Sequence, residues 1–213
     1  MTFVLPPLSH INGHRLSVGS IGGIPMYRLL NGVTADILYC DPPWDDSHMK
    51  SFATMARKQT GLPTAVIPWA RFMDELVRVI QEHVDGWVFV ESGVPRAHAV
   101  HAYLESAGLF DLGVHTTTYR SGQSTRPSAL LAGHSRLGQA VGWSLPPGGG
   151  SGGLRQVLAV VGSVATPGQI LLDPCCGTGL SARAAVRLGL TFYGNELNAY
   201  RAHRTAEHLR PHD

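Results

Sequence analysis

Short apolar runs alternate along the chain with stretches whose apolar positions recur at helical spacing, and that alternation predicts a parallel sheet covered by helices on both faces. Arg15 to Val18 and Ala35 to Asp41 read as strands, the second stopped by a Pro-Pro pair that neither a helix nor a central strand can continue. Pro68 to Val84 carries Trp69, Phe72, Met73, Leu76, Val77, Ile80 and Val84 at the spacing of one helix face, and Trp87 to Glu91 then reads as a buried strand. Pro95 and Gly108 bracket a helix with Ala97, Val100, Leu104 and Ala107 on one side. Leu109 to Tyr119, rich in threonine and valine, reads as a strand, and the glycine run from Pro146 to Gly153 as a mobile connection. The last third predicts a helix over Leu154 to Val164, a strand over Gln169 to Asp173, a helix over Thr178 to Leu188, a strand over Thr191 to Glu196 and a helix over Ala199 to Leu209. No internal repeat is visible.

At 213 residues, 44% hydrophobic and 15% charged, the chain predicts one sizeable core and one domain spanning 1–213. Its three cysteines, Cys40 and the adjacent Cys175 and Cys176, have no metal-ligand spacing and read as reduced thiols in a cytoplasmic compartment. Pro6 and Pro7 interrupt any signal-peptide core, and Gly162, Pro167 and Gly168 break the uncharged stretch from Gln156 to Leu172, so no membrane partner is expected. Eleven histidines include no His-Glu-x-x-His arrangement, and no metal is assigned.

A net charge of +2 argues for no polyanion by itself, but its distribution does more. Between Asp111 and Asp173 the chain carries no acid, while Arg120, Arg126, Arg136 and Arg155 fall inside that window. This gives a small basic insertion at about 112–153 as the candidate target-contact region, with Arg120, Arg126 and Arg136 as the nucleic-acid-binding candidates. Arginine outnumbers lysine 15 to 2 throughout, so an arginine-rich composition accounts for the same stretch equally well.

Two strand ends carry chemistry. Asp173-Pro174-Cys175-Cys176-Gly177-Thr178-Gly179 joins a strand to a helix through glycines, which lets backbone approach a ligand closely and offers the unpaired amides of a helix start. Glu196 ends the next strand, placed to accept hydrogen bonds from both hydroxyls of a ribose. The other end, Asp41-Pro42-Pro43-Trp44, sets a carboxylate and a stiff pair of carbonyls beside a flat aromatic face, a set suited to a planar base bearing an amino group.

The stretch from Ile170 to Asn198 resembles the Asp-Pro-Phe-x-Gly-x-Gly turn and Gly-x-Glu-x-(Asn/Asp) strand end of DNA amino-methyltransferases, with Cys175 in place of phenylalanine and Leu180-Ser181 in place of threonines. Asp41 to Trp44 is similar to their (Asp/Asn/Ser)-Pro-Pro-(Tyr/Phe/Trp) motif, in which aspartate is commonest in adenine-N6 enzymes; the tryptophan form also resembles that of adenine-N6 methyltransferases acting on messenger RNA. The catalytic motif precedes the cofactor motif, as in the circularly permuted β-type members. The resemblance implies an α/β fold, a Rossmann-like methyltransferase sheet, mostly parallel with helices on both faces. It implies S-adenosylmethionine as cofactor, S-adenosylhomocysteine as product and no metal. Asp41, Pro42, Pro43 and Trp44 would be catalytic; Asp41, Asp173, Cys175, Gly177, Gly179, Glu196 and Asn198 would bind cofactor, with Arg15 to Ser20 edging its adenine. The activity implied is methyl transfer to N6 of adenine in DNA, duplex or single-stranded, in a restriction-modification or phage setting. Cytosine-N4 transfer, an RNA substrate and a catalytically silent nucleic-acid-binding subunit stay open, as does a homodimer or heterodimer that supplies specificity.

Overall fold

The structure, a computed structural model, describes residues 6–61, 64–121 and 124–210, without the side chains of residues 120 and 121. The centre of its eight-stranded sheet is parallel: β2 (His14–Val18), β8 (Thr191–Glu196), β7 (Ile170–Asp173), β3 (Ala35–Cys40) and β4 (Val84–Gly93). Antiparallel strands close both sides, β1 (Leu8–Ile11) at one edge and β6 (Ser124–His134) with β5 (Phe110–Ser121) at the other. The order across the sheet is β1-β2-β8-β7-β3-β4-β6-β5.

Alternation along the strands divides the core in two. Ile37, Tyr39, Phe89, Leu171 and Phe192 face α5 (Gly153–Gly162), α6 (Leu180–Leu188) and α7 (Ala199–His208). Leu38, Cys40, Val88, Val90 and Leu172 face α1 (Ile24–Leu30), α2 (Asp46–Thr60), α3 (Trp69–His83) and α4 (Ala97–Ser106). Strands covered on both faces must be apolar at every position, which is why β3 reads Ile-Leu-Tyr-Cys without a break. The small buried side chains of α6, Ser181, Ala182, Ala184 and Ala185, let that helix lie close to the sheet behind the glycine turn.

The strands and helices expected from periodicity are present with small shifts at their ends. Four elements had no counterpart in that reading: β1, α1, α2 and β6. For α2 the signals exist locally: Asp45 caps it by accepting from the His48 amide at 2.8 Å, and Gly61 ends it in the left-handed region. The polar residues between Met49, Phe52 and Ala56 obscure its apolar stripe.

Much of the stretch at 112–153 is built into the sheet. β5 and β6 pair from Phe110↔His134 to Ser121↔Ser124, whereas β4 accompanies β6 only as far as Gly93↔Ser128. The remaining pairs, Thr118↔Pro127 to Ser121↔Ser124, form a two-stranded arm that continues past the carboxyl end of β4. The glycine run expected to be mobile is tied down as turns. Gly149 N–H donates to Pro146 O at 2.8 Å, and Gly150 O accepts from both the Thr118 amide (3.0 Å) and its hydroxyl (2.9 Å). Among the described residues no helix is long and apolar enough to cross a membrane.

Candidate active site

Because β3 and β7 are parallel neighbours, with Leu38 opposite Leu172, the two motif-bearing strand ends leave the sheet side by side. From here the chain winds outward in both directions, to β4 on one side and β8 on the other, the kind of switch point at which open α/β sheets bind ligands. The loops touch: Cys175 Sγ lies 3.2 Å from Cys40 Sγ and donates to Asp41 O at 3.3 Å. A cleft of about 240 Å³ opens above them, with Asp41, Glu91, Asp173, Gly177, Glu196 and Arg201 among its lining.

On the β7–β8 side the polar groups hold one another. Asp173 is buried; one oxygen accepts from the Cys175 amide at 3.0 Å and the other from the Ser181 hydroxyl. Glu196 accepts from the Gly177 amide at 2.8 Å and the Asn198 amide at 2.9 Å, leaving the remaining lone pairs of its carboxylate toward the cleft. Asn195 staples three strand ends: it accepts from Ser17 Oγ at 2.7 Å and donates to Gly19 O at 3.0 Å and Pro174 O at 3.2 Å. Asn198 lines the cleft, caps α7 through the Tyr200 amide and donates to Gln59 of α2 at 2.7 Å, which ties the wall to two helices. Gly177 has φ +57°, and a Cβ there would point into open space, the room a close-lying ligand needs. Gly179 has φ +89°, and its Cβ would come within 3.0 Å of Thr205 Cα, so only glycine fits without strain.

Burial pushes Asp173 up to about 7 against the pull of Ser181 and the Cys175 amide, and raises Glu196 against the Asn198 amide and the Arg201 guanidinium. The cleft gathers four carboxyls, Asp41, Glu91, Asp173 and Glu196, and the Arg201 guanidinium.

On the β3–β4 side Asp41 stands at the cleft mouth, in contact with solvent yet crowded by protein. That crowding pushes its carboxyl up to about 6, opposed by a Trp44 indole hydrogen bond, Arg201 and His48; water in the open cleft tempers the penalty. Pro42 is buried and Pro43 lines the cleft. Trp44 stands outside the cleft lining, against Gly93 of β4 and edge-on to Tyr119 of the arm (centroids 4.7 Å apart) and His48 (5.6 Å). A Cβ at Gly93 would meet the indole at 2.8 Å, so glycine is required for this approach.

Sequence reasoning gave Glu91 no role, having taken it as the end of a strand. Glu91 is 7% exposed, lines the cleft, and accepts from Tyr39 Oη, which in turn accepts from Gln156 Nε2 at 3.2 Å. Its polar type at the end of a run such as Val88-Phe89-Val90 was the available signal. Phe52, with the Arg201 guanidinium 5.0 Å from its ring centroid, was also missed, together with the α2 it belongs to.

The arginines divide. Arg126 is exposed on the arm, beyond the carboxyl end of β4. Arg120 lies on the opposite strand of the arm, paired with Thr125, and its side chain is outside the described residues. Arg136 is not brought to the cleft: it follows β6 at the other end of the sheet and forms a two-point ion pair with Asp85, with Nε 2.9 Å from Oδ1. Gly19, Ser20 and Ile21, following β2, line the cleft beside Glu196.

Cys40, Asp173 and Cys175 place three ligand-type atoms within 4.8 Å of one another. Burial raises the Cys40 thiol, and the Cys40 contact together with burial raises that of Cys175. The trio is an internal contact between the two loops.

Several solved structures match this architecture over nearly their whole length. M1.HpyAVI superposes with a TM-score of 0.63 at 16% identity, over 92% of this chain and 98% of that one. TTHA0409 from Thermus thermophilus gives 0.62 at 21%, over 92% and 94%. PvuII DNA methyltransferase, a cytosine-N4-specific enzyme, gives 0.58 at 9%, over 93% and 89%. The chain shares the fold of these proteins. M1.HpyAVI and TTHA0409 have also been solved with S-adenosylmethionine. No protein-family model and no curated protein matches the sequence.

Proposed function

We propose that this chain transfers a methyl group from S-adenosylmethionine to the exocyclic amino nitrogen of a base in DNA, N6 of adenine in the first instance. The observation that carries this reading is the contact between the two loops, 3.3 Å from Cys175 Sγ to Asp41 O, which sets an acceptor for an amino group beside a nucleoside-sized cleft. The residues present fit the cofactor: Gly177 leaves space where a side chain would project, and Glu196 faces the cleft as a ribose acceptor. The fold relatives solved with S-adenosylmethionine support the same assignment.

Bound there, S-adenosylmethionine would supply an electrophilic sulfonium methyl. Glu196 holds the ribose, while Asp173 keeps the Cys175–Gly177 turn in shape through the Cys175 amide and the Ser181 hydroxyl. Asp41 and the Pro42 carbonyl accept the two amino hydrogens of the target, which draws the nitrogen lone pair out of the ring and toward the methyl group. The Pro-Pro pair fixes both acceptors in advance. Trp44 offers the everted base a stacking face, and Asp41 takes up the proton released from the amino nitrogen.

Aspartate at position 41 favours adenine N6. Cytosine N4 is the second reading, favoured by the cytosine-N4-specific enzyme among the fold relatives. An RNA substrate and a silent nucleic-acid-binding role are further outcomes of one assay: tritiated cofactor with duplex DNA, single-stranded DNA and RNA, then digestion of the product to nucleosides. Labelled N6-methyldeoxyadenosine from DNA is the expected result. Asp41→Ala should lower turnover about a hundred- to a thousandfold with cofactor affinity retained; a fully active variant refutes the assignment.

A further inference from the structure

Glu91 is the buried acid of the cleft that the mechanism above leaves unused. It ends the run of β4 beside Asp41, since Cys40 pairs with Val90 in parallel register. Gly93 follows two positions later on the same face of β4, and Trp44 packs against it. One strand face therefore presents, in order, a carboxyl at the cleft and the seat of the stacking ring, while the cofactor groups Gly177 and Glu196 lie on the far side of β3, at β7 and β8. A base stacked on Trp44 with its amino group at Asp41 would lie beside β4, where one edge of its ring can face Glu91. In both adenine and cytosine the atom next to the amino carbon on that edge is an unprotonated ring nitrogen, an acceptor.

We propose that the Glu91 carboxyl, held in place by Tyr39 and Gln156, donates a hydrogen bond to the ring nitrogen beside the target amino group and so reads the base. The inference rests on the methyltransferase reading of the same site. Donation requires the acid form, and the surroundings keep it. Burial, followed by the nearby Asp41 carboxylate, pushes Glu91 up to about 8, against the hydrogen bonds from Tyr39 and Gln156; Asp173 raises it further. Tyr39 Oη donates to Oε1, so the proton that the proposal requires sits on the other carboxyl oxygen. A base presenting N–H at that ring position, as thymine, uracil and guanine do, would set donor against donor.

The test uses the full chain and oligonucleotides carrying either the base that the wild type methylates or its deaza analogue, in which that ring nitrogen is CH. Wild type should lose roughly tenfold in kcat/KM on the analogue, the size of one hydrogen bond. The loss should fade as pH rises through about 8, where Glu91 ionises. Glu91→Gln keeps a donor, so its discrimination should persist and become independent of pH. Glu91→Ala should fall roughly tenfold on the natural base and no further on the analogue. Thermal melting and cofactor titration of each variant identify a merely structural effect. A Glu91→Ala loss of equal size on both bases, or a wild type indifferent to the analogue, overturns the assignment while leaving the methyltransferase reading intact. A wild type that methylates no nucleic acid overturns both.

Discussion

The two halves of the cleft are built on different principles. Around β7 and β8 each acid is committed to backbone: Asp173 to the Cys175 amide, Glu196 to the amides of Gly177 and Asn198, with Asn195 joining the ends of β2, β7 and β8. Around β3 and β4 the loop is positioned by ring contacts, Trp44 against Gly93, Tyr119 and His48, and by the Gln156–Tyr39–Glu91 chain beneath it. Backbone-anchored carboxylates fix one shape, as suits a ligand bound identically in every turnover. Rings in edge contact can slide apart, which under the proposed function would let the site admit an everted base.

Removing a backbone-anchored acid should act on the cofactor half alone. Under the proposed function Glu196→Ala would take a ribose acceptor from the cofactor and strand the Gly177 and Asn198 amides, so S-adenosylmethionine affinity by calorimetry should weaken about ten- to a hundredfold. Unchanged affinity would erase the contrast between the halves. Trp44→Ala should act on the other side alone, costing about 1 to 3 kcal/mol in kcat/KM for nucleic acid with cofactor affinity unaffected. Gly93→Leu, which drives a side chain into the indole, should reproduce that pattern while leaving Trp44 in the sequence.

The same contrast decides what could be read before the fold was known. The β7–β8 half is nearly contiguous in sequence, from Ile170 to Asn198, so its strand, turn, helix and acid were visible as one unit. The β3–β4 half is assembled from distant pieces. Gln156 reaches Tyr39 from α5, Tyr119 meets Trp44 from the arm, and Glu91 gains its meaning only when β4 lies beside β3. Local patterning marked Pro146 to Gly153 as a mobile connection and could not show Thr118 holding Gly150, because that bond depends on where β5 lies.

A smaller and slower test concerns the buried acid of the anchored half. Asp173 has an ordinary value of 3.8 and sits at about 7 in the fold, so between those limits the folded chain holds a proton that the unfolded chain has released. Stability therefore falls as pH rises through that window. Asp173→Asn keeps an acceptor for the Cys175 amide and has no proton to lose. His14, His115 and His134, all lowered by burial, act in the opposite sense, but they are common to both proteins. Relative to the variant, the wild type should thus lose melting temperature from pH 4 to 7, by several degrees, and hold a constant gap above. Parallel curves would mean that Asp173 is ionised throughout.

The smallest expected effect sharpens the other half. Arg126 is exposed on the arm, which continues past the carboxyl end of β4 on the side where the cleft opens, whereas Arg136 is paired with Asp85 at the opposite end of the sheet. If the arm lies along the phosphate backbone, Arg126→Ala should weaken nucleic-acid binding equally for all sequences and lower the slope of log affinity against log salt by about 1. Arg136→Ala should leave that slope alone, since its charge is already neutralised by a carboxylate and faces away from the cleft. Equal slopes in the two variants would move the contact surface away from the arm, and a change for Arg136 alone would place it on the far edge, with target selection then separated from the ring contacts of Trp44 and Tyr119.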